Sequence, residues 1–160
     1  MTKGFFHNRI GKPILNLLKK GISPEKLSFT IACGAVIGIF PVLGSTTLIC
    51  TAMAIVLRLN LPAIQLANYL VYPLQIALLI PFIRFGAFIF QVVPPPLSVQ
   101  ELSALFQQDF WGTFFYFLDS LVHAVVAWFL VCAPAFPVLY FAFVPIFRKF
   151  RRHKHKSIYL

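Results

Sequence analysis

The stretch GIFPVLGSTT, Gly38 to Thr47, lies inside an apolar run that carries no charged residue from Phe29 to Leu57. Pro41 has no backbone N–H to continue a helix, and Gly44 tolerates the left-handed conformation a turn needs. Three hydroxyl side chains, Ser45, Thr46 and Thr47, follow at once. A helix entering this stretch is expected to break and return, with Gly44 taking the turn and Ser45 or Thr46 capping the helix that leaves it.

The surrounding composition suits lipid rather than water. Of 160 residues, 59% are hydrophobic and 11% charged, whereas soluble domains carry about a quarter charged residues. The expected class is an all-α integral membrane protein forming one membrane unit over residues 1–160. The N-terminal MTKGFFHNRIGKPILNLLKK is basic throughout, without a compact apolar core before a small-residue cleavage site. No cleavable signal peptide is therefore expected. Cys33, Cys50 and Cys132 sit in apolar segments without CxxC or Cys/His spacing. They read as small buried hydrophobes; no disulfide framework, metal site or cofactor is expected.

The net charge of +10 gathers at the two ends. Lys3, Arg9, Lys12, Lys19, Lys20 and Lys26 precede the first apolar run, and Arg148, Lys149, Arg151, Arg152, Lys154 and Lys156 follow the last. Because these blocks border hydrophobic spans, the expected partner is the anionic headgroups of membrane lipids at the cytoplasmic face, not nucleic acid.

Five segments follow along the chain. Residues 1–22 read as a basic interfacial helix, with Ile10, Ile14, Leu17 and Leu18 near helical spacing between Asn8 and Gly21. Residues 23–91 hold the hairpin, opened by Ser23 as N-cap with Pro24 and Glu25 in the first turn, and a first crossing segment that Pro62, Pro73 and Pro81 are expected to kink. Residues 92–112 are a Pro-rich connector and a surface helix, whose Ser98-Val99-Gln100-Glu101 has the form of a capping box. Residues 113–147 are the last crossing segment, with Pro134, Pro137 and Pro145 expected to kink it, and 148–160 are a basic cytoplasmic tail. The four letters FPVL occur at Phe40–Leu43 and again at Phe136–Leu139, which raises a weak case for an internal repeat.

Charge also limits the topology. No Lys or Arg lies between Phe85 and Phe147, while Glu101, Asp109 and Asp119 do. By the positive-inside rule both termini are cytoplasmic and the capped helix is outside. The run 113–147 then crosses once, so the two earlier runs together cross an odd number of times. If the first run is a hairpin returning to its own side, Arg58 is cytoplasmic and Leu61–Val93 crosses alone. Phe29–Phe40 makes about 18 Å of helix, or about 26 Å counted from Pro24, and Ser45–Arg58 about 21 Å. The hydrocarbon core is about 30 Å thick. A broken-helix hairpin that re-enters its own face is the preferred form, and a thin, tilted full hairpin is the rival.

Irregular backbone at membrane depth needs protein shelter or a wet cavity. Gly44, Ser45, Thr46 and Thr47 are therefore candidate ligand-binding residues, with free N–H groups and hydroxyls at a positive helix end. A capped turn without ligand explains the same residues. Gly34 and Gly38 form a GxxxG expected to let the hairpin limbs pack closely, and with Pro41 and Pro73 they are the structural positions. Asn68, Tyr72 and Gln75 share a face if the helix survives Pro73, so Asn68 and Gln75 join the candidate site; interhelical hydrogen bonding is the alternative. Arg84 is the lone charge within an apolar run, either reaching the outer headgroups or pairing with Asp119 or Glu101. Asp119 and His123 are spaced to touch on a helix, as a structural pair. No nucleophile accompanies them, so no catalytic residue is assigned. His153 and His155 belong to a solvated basic tail.

Ser23-Pro24, Gly34 with Gly38, Pro41 with Gly44, Arg58-Leu59-Asn60, and Pro73 followed by Gly86 together form a pattern over Ser23–Gly86. In it the chain resembles the bacterial membrane proteins grouped as domain of unknown function number two-thousand-and-sixty-two. The resemblance implies the bacterial inner (cytoplasmic) membrane, and it brings no established biochemical role. Related segments joined to glycosyltransferase-like domains imply envelope or lipid-linked sugar metabolism. Many relatives have Asn-Pro where this chain has Tyr72-Pro73, so a polar role for that Asn does not transfer. The expected function is binding or passage of an anionic lipid or small solute at the hairpin tip. The alternative is a non-catalytic scaffold or partner subunit for a cell-envelope or lipid-linked-sugar enzyme, and an enzyme ranks last.

Overall fold

The computed structural model describes residues 22–96 and 98–156. The helix expected between Asn8 and Gly21 and the final residues 157–160 lie outside that range. Among the described residues there are six helices and no strand: α1 Pro24–Gly38, α2 Thr46–Val56, α3 Leu61–Leu70, α4 Tyr72–Phe90, α5 Val99–Gln108 and α6 Phe110–Lys156.

Local chemistry sets most of the boundaries. Ser23 caps α1 by accepting the Lys26 N–H at 3.2 Å, and Ser98 caps α5 by accepting that of Glu101 at 3.3 Å. Among the described residues no bond returns from the Glu101 carboxylate, so the capping box is half made. Asn60 opens α3 by accepting the Ala63 N–H at 3.0 Å. The chain breaks after Gly38 and turns at Gly44, whose φ is +83°. The capping role expected of Ser45 or Thr46 is not played. The Ser45 hydroxyl donates to the Val42 carbonyl at 2.8 Å, and no side chain caps α2.

Leu61–Val93 is not one segment. It divides at Val71 into α3 and α4. Pro73 has no N–H to offer the Tyr69 carbonyl, so a continuous helix loses its ladder at that point. Elsewhere proline does not interrupt: Pro81 lies within α4, and α6 runs on through Pro134, Pro137 and Pro145. The second FPVL lies inside that unbroken helix, where Tyr140 stands in the position Gly44 holds after the first.

Close packing follows the glycines. A Cβ on Gly34 or Gly38 would collide with α3, at Ile64 and Ala67 and at Val71 and Asn68. The GxxxG therefore seats α1 on α3, not on α2 as the limb-packing expectation had it. Gly86 brings α4 against the α6 backbone at His123 and Ala124. Buried Cys33, Ile37, Cys50, Ala54 and Ile64 tie the hairpin to α3, and Phe82, Ile83, Ala124 and Ala127 tie α4 to α6.

Two described helices are long and apolar enough to cross a membrane: Tyr72–Phe90 with mean hydropathy 1.8, and Phe110–Lys149 with 2.1. Large apolar side chains face outward along both, Phe88 and Phe141 among them.

Candidate functional site

The ends of α1 and α2 meet α3, α4 and α6 around residues 36–47. The broken backbone there is held by donors from distant elements. Trp128 of α6 donates its indole N–H to the Val36 carbonyl at 3.1 Å, and its ring meets Phe40 edge-on at 5.0 Å. Gln75 of α4 donates its amide to the Phe40 carbonyl at 2.7 Å. Both carbonyls belong to the stretch where α1 loses its own ladder, so these side chains replace bonds the helix no longer makes. Pro41 is fully buried beside them.

A polar cluster continues into α2 and α3. Gln65 donates to the Thr47 carbonyl at 3.0 Å and to the Thr51 hydroxyl at 2.9 Å, and the Thr51 hydroxyl donates to the Thr47 carbonyl at 2.7 Å. Asn68 donates to the Gln65 side-chain oxygen at 3.3 Å and makes a longer contact of 3.5 Å with the Thr47 hydroxyl. Its own side-chain oxygen lies over Gly38, which has no side chain to exclude it.

One group is left over. Gln75 is 1% exposed, and its side-chain oxygen has no hydrogen-bond partner. A buried acceptor in that condition carries a desolvation cost of roughly 1–3 kcal/mol. Gln75 is thus engaged through its nitrogen and unengaged through its oxygen.

The candidate residues separate accordingly. Thr47 and Asn68 meet on α2 and α3, Gln75 holds the Phe40 carbonyl, and Thr46 is buried. Ser45 is turned to its own loop carbonyl, and Gly44 faces open space, with no atom within 4 Å of where a Cβ would be. Tyr72 does not share the face of Asn68 and Gln75. It is 48% exposed, just after the break at Val71. Arg84 is exposed on α4 and, among the described residues, forms no ion pair with Asp119 or Glu101. Asp119 and His123 approach at 3.6 Å, with the imidazole against Phe90 at 4.2 Å between ring centroids.

Gln65, Thr51 and Trp128 take part although the sequence reading passed over them. Gln65 and Asn68 are three apart and Thr47 and Thr51 four apart, spacings that put each pair on one helix face. Trp128 had no local signal. No group of three or more His, Cys, Asp or Glu side chains comes together among the described residues.

A family model described as "Uncharacterized protein conserved in bacteria (DUF2062)" matches residues 7–156 of the chain. No curated protein and no solved structure matches it.

Proposed function

The chain belongs to the family of uncharacterized proteins conserved in bacteria (DUF2062), and on that footing we propose that it is a non-enzymatic inner-membrane protein binding or passing a small anionic solute or headgroup at the hairpin tip. The carrying observation is the buried, unpartnered Gln75 oxygen beside the broken backbone at Phe40. A ligand hydroxyl would supply the donor this acceptor lacks, while the start of α2 offers backbone N–H groups and a positive dipole to an acceptor. A hydroxyl-bearing anion has both.

Several features support the membrane reading. A soluble core helix is covered, yet only 6% of the apolar window of α6 is buried, so that surface suits lipid. At 1.5 Å per residue, α1 makes about 22 Å and α2 about 16 Å, each short of a hydrocarbon core of about 30 Å. That favours a hairpin that re-enters its own face. Arg148 meets Glu25 at 2.8 Å, joining the end of α6 to the start of α1, an arrangement suited to two cytoplasmic termini.

The test is thermal stability of the detergent-purified protein with inorganic phosphate, a sugar phosphate and an uncharged polyol. At least one anion is expected to raise the melting temperature, and Gln75→Leu is expected to abolish that rise whatever it does to the unliganded protein. Indifference of the wild-type protein to all three overturns the proposal.

A second reading, a scaffold or partner subunit for a cell-envelope enzyme, draws on an open notch of about 560 Å³ that includes Pro94, Pro96, Asp109 and Tyr116, beside α5. A stable co-purifying partner released by Asp109→Arg would favour it.

A further inference from the structure

The opposite end of the hairpin carries a second arrangement. Lys26 in the first turn of α1 and Arg58 in the link from α2 to α3 converge on a notch of about 160 Å³ that Ile22, Leu59 and Asn60 complete. Both cationic side chains are exposed. Asn60 uses its side-chain oxygen to cap α3, which leaves its amide N–H groups as further donors. The notch has room for several water-sized groups at about 30 Å³ each.

Arg58 stands where glycine is the usual choice. Its φ is +50°, and the chain closes α2 around it with Leu59 N–H on the Ala54 carbonyl at 2.8 Å. That is the left-handed helix stop in which a side chain is a cost rather than a help. A strained, non-glycine residue that lines the same notch as Lys26 has a reason in charge that it lacks in backbone geometry. The acid closest in sequence, Glu25, is already engaged by Arg148 at 2.8 Å.

An apolar groove of about 230 Å³ lies alongside, between α1, α3 and α6, walled by Ile31, Ala35, Leu70 and Phe143 with no polar lining surface. The two are neighbours: Ile22 of the notch packs on the cluster of Leu27, Ala63 and Phe147, and Ala63 and Phe147 also wall the groove. Two cations beside an apolar groove match a phosphate ester with a hydrocarbon tail.

We infer that notch and groove together bind one anionic phospholipid, its phosphate between Lys26 and Arg58 and an acyl chain along α1, α3 and α6. The inference rests on the membrane reading but not on a ligand at the tip. The full chain in detergent is titrated, at constant ionic strength, with phosphatidylglycerol, with phosphatidylcholine of the same acyl chains, and with inorganic phosphate, and melting is followed. Phosphatidylglycerol is expected to stabilise at concentrations at least about tenfold below either of the others, the size of one charge-assisted contact. Lys26→Gln and Arg58→Gly are each expected to erase that margin. Arg58→Gly is also expected to melt higher than wild type without lipid, since it relieves the backbone. Ala35→Phe is expected to weaken the response to phosphatidylglycerol and not that to phosphate. Gln75→Leu is expected to keep the lipid margin, which separates this site from the tip. Equal response to the two lipids, an unaltered margin in both cation variants, or full stabilisation by inorganic phosphate overturns the inference.

Discussion

Gln75 and Phe40 are joined across 35 residues by a 2.7 Å bond from the Gln75 amide to the Phe40 carbonyl, while the oxygen of the same amide has no partner. The bond supplies what α1 gives up by breaking, and the leftover oxygen is the observation on which the proposed site at the tip rests. Gln75→Leu leaves the Phe40 carbonyl orphaned but also removes the unpaired oxygen. The two changes largely offset, so a net loss of no more than about 1 kcal/mol is expected, read from chemical or thermal unfolding in detergent.

Gly44 carries the turn through conformation alone. Its φ is +83°, and no atom lies within 4 Å of where a Cβ would be. Gly44→Ala is expected to cost about 1–2 kcal/mol, and Gly44→Asn less, because asparagine visits the left-handed region more readily. Equal melting temperatures for the wild type and Gly44→Ala would show that the turn is not held there.

Gly86 is the opposite case, limited by space. A Cβ would lie 2.5 Å from both the carbonyl carbon and the oxygen of His123 and 2.9 Å from the Ala124 nitrogen. These are backbone atoms, which cannot swing aside. Gly86→Ala is expected to push α4 from α6 and cost about 1–3 kcal/mol, and a distance measurement between labels on the two helices would record the separation.

The pair of Glu25 and Arg148 gives a pH dependence. The Glu25 carboxyl is held below its ordinary value, first by its backbone hydrogen bond and then by the Arg148 guanidinium. A depressed folded value means a contribution that is complete above the unfolded value and lost as pH falls through the folded one. Melting temperature is expected to decline as pH drops below the ordinary carboxylate range, and Glu25→Gln is expected to flatten that part of the curve. Added salt weakens the effect, since both side chains are exposed.

Residues that act on their own few neighbours were legible in the sequence. Ser23 and Ser98 cap as read, and Gly44 turns as read, because each needs only local backbone geometry. The two FPVL copies show how narrow that margin is. Glycine follows the first and the chain turns; Tyr140 follows the second and α6 continues. The break at Val71 was harder, because Pro73 fits the first turn of a new helix as well as the interior of a kinked one. What could not be read was partnership. Gly34 and Gly38 announce a close approach without naming α3. Nothing near Trp128 indicates that its N–H will reach Val36, 92 residues away. Asn68 and Gln75 were found as polar letters in an apolar run. Gln65 was missed because beside Thr47 and Thr51 it looks like one more polar position until the helices are assembled.

The depth and wetness of the tip are measured most directly with a cysteine at position 45. Ser45→Cys is placed in a chain lacking Cys33, Cys50 and Cys132, with Ser98→Cys and Ser157→Cys as the controls expected to report the outer and inner faces. A membrane-impermeant maleimide is then applied from each side. A re-entrant, water-reached ligand site is expected to label from the cytoplasmic side. Labelling from the outer side alone would mean that the hairpin crosses fully, and no labelling from either side would mean a dry turn with no route for a ligand.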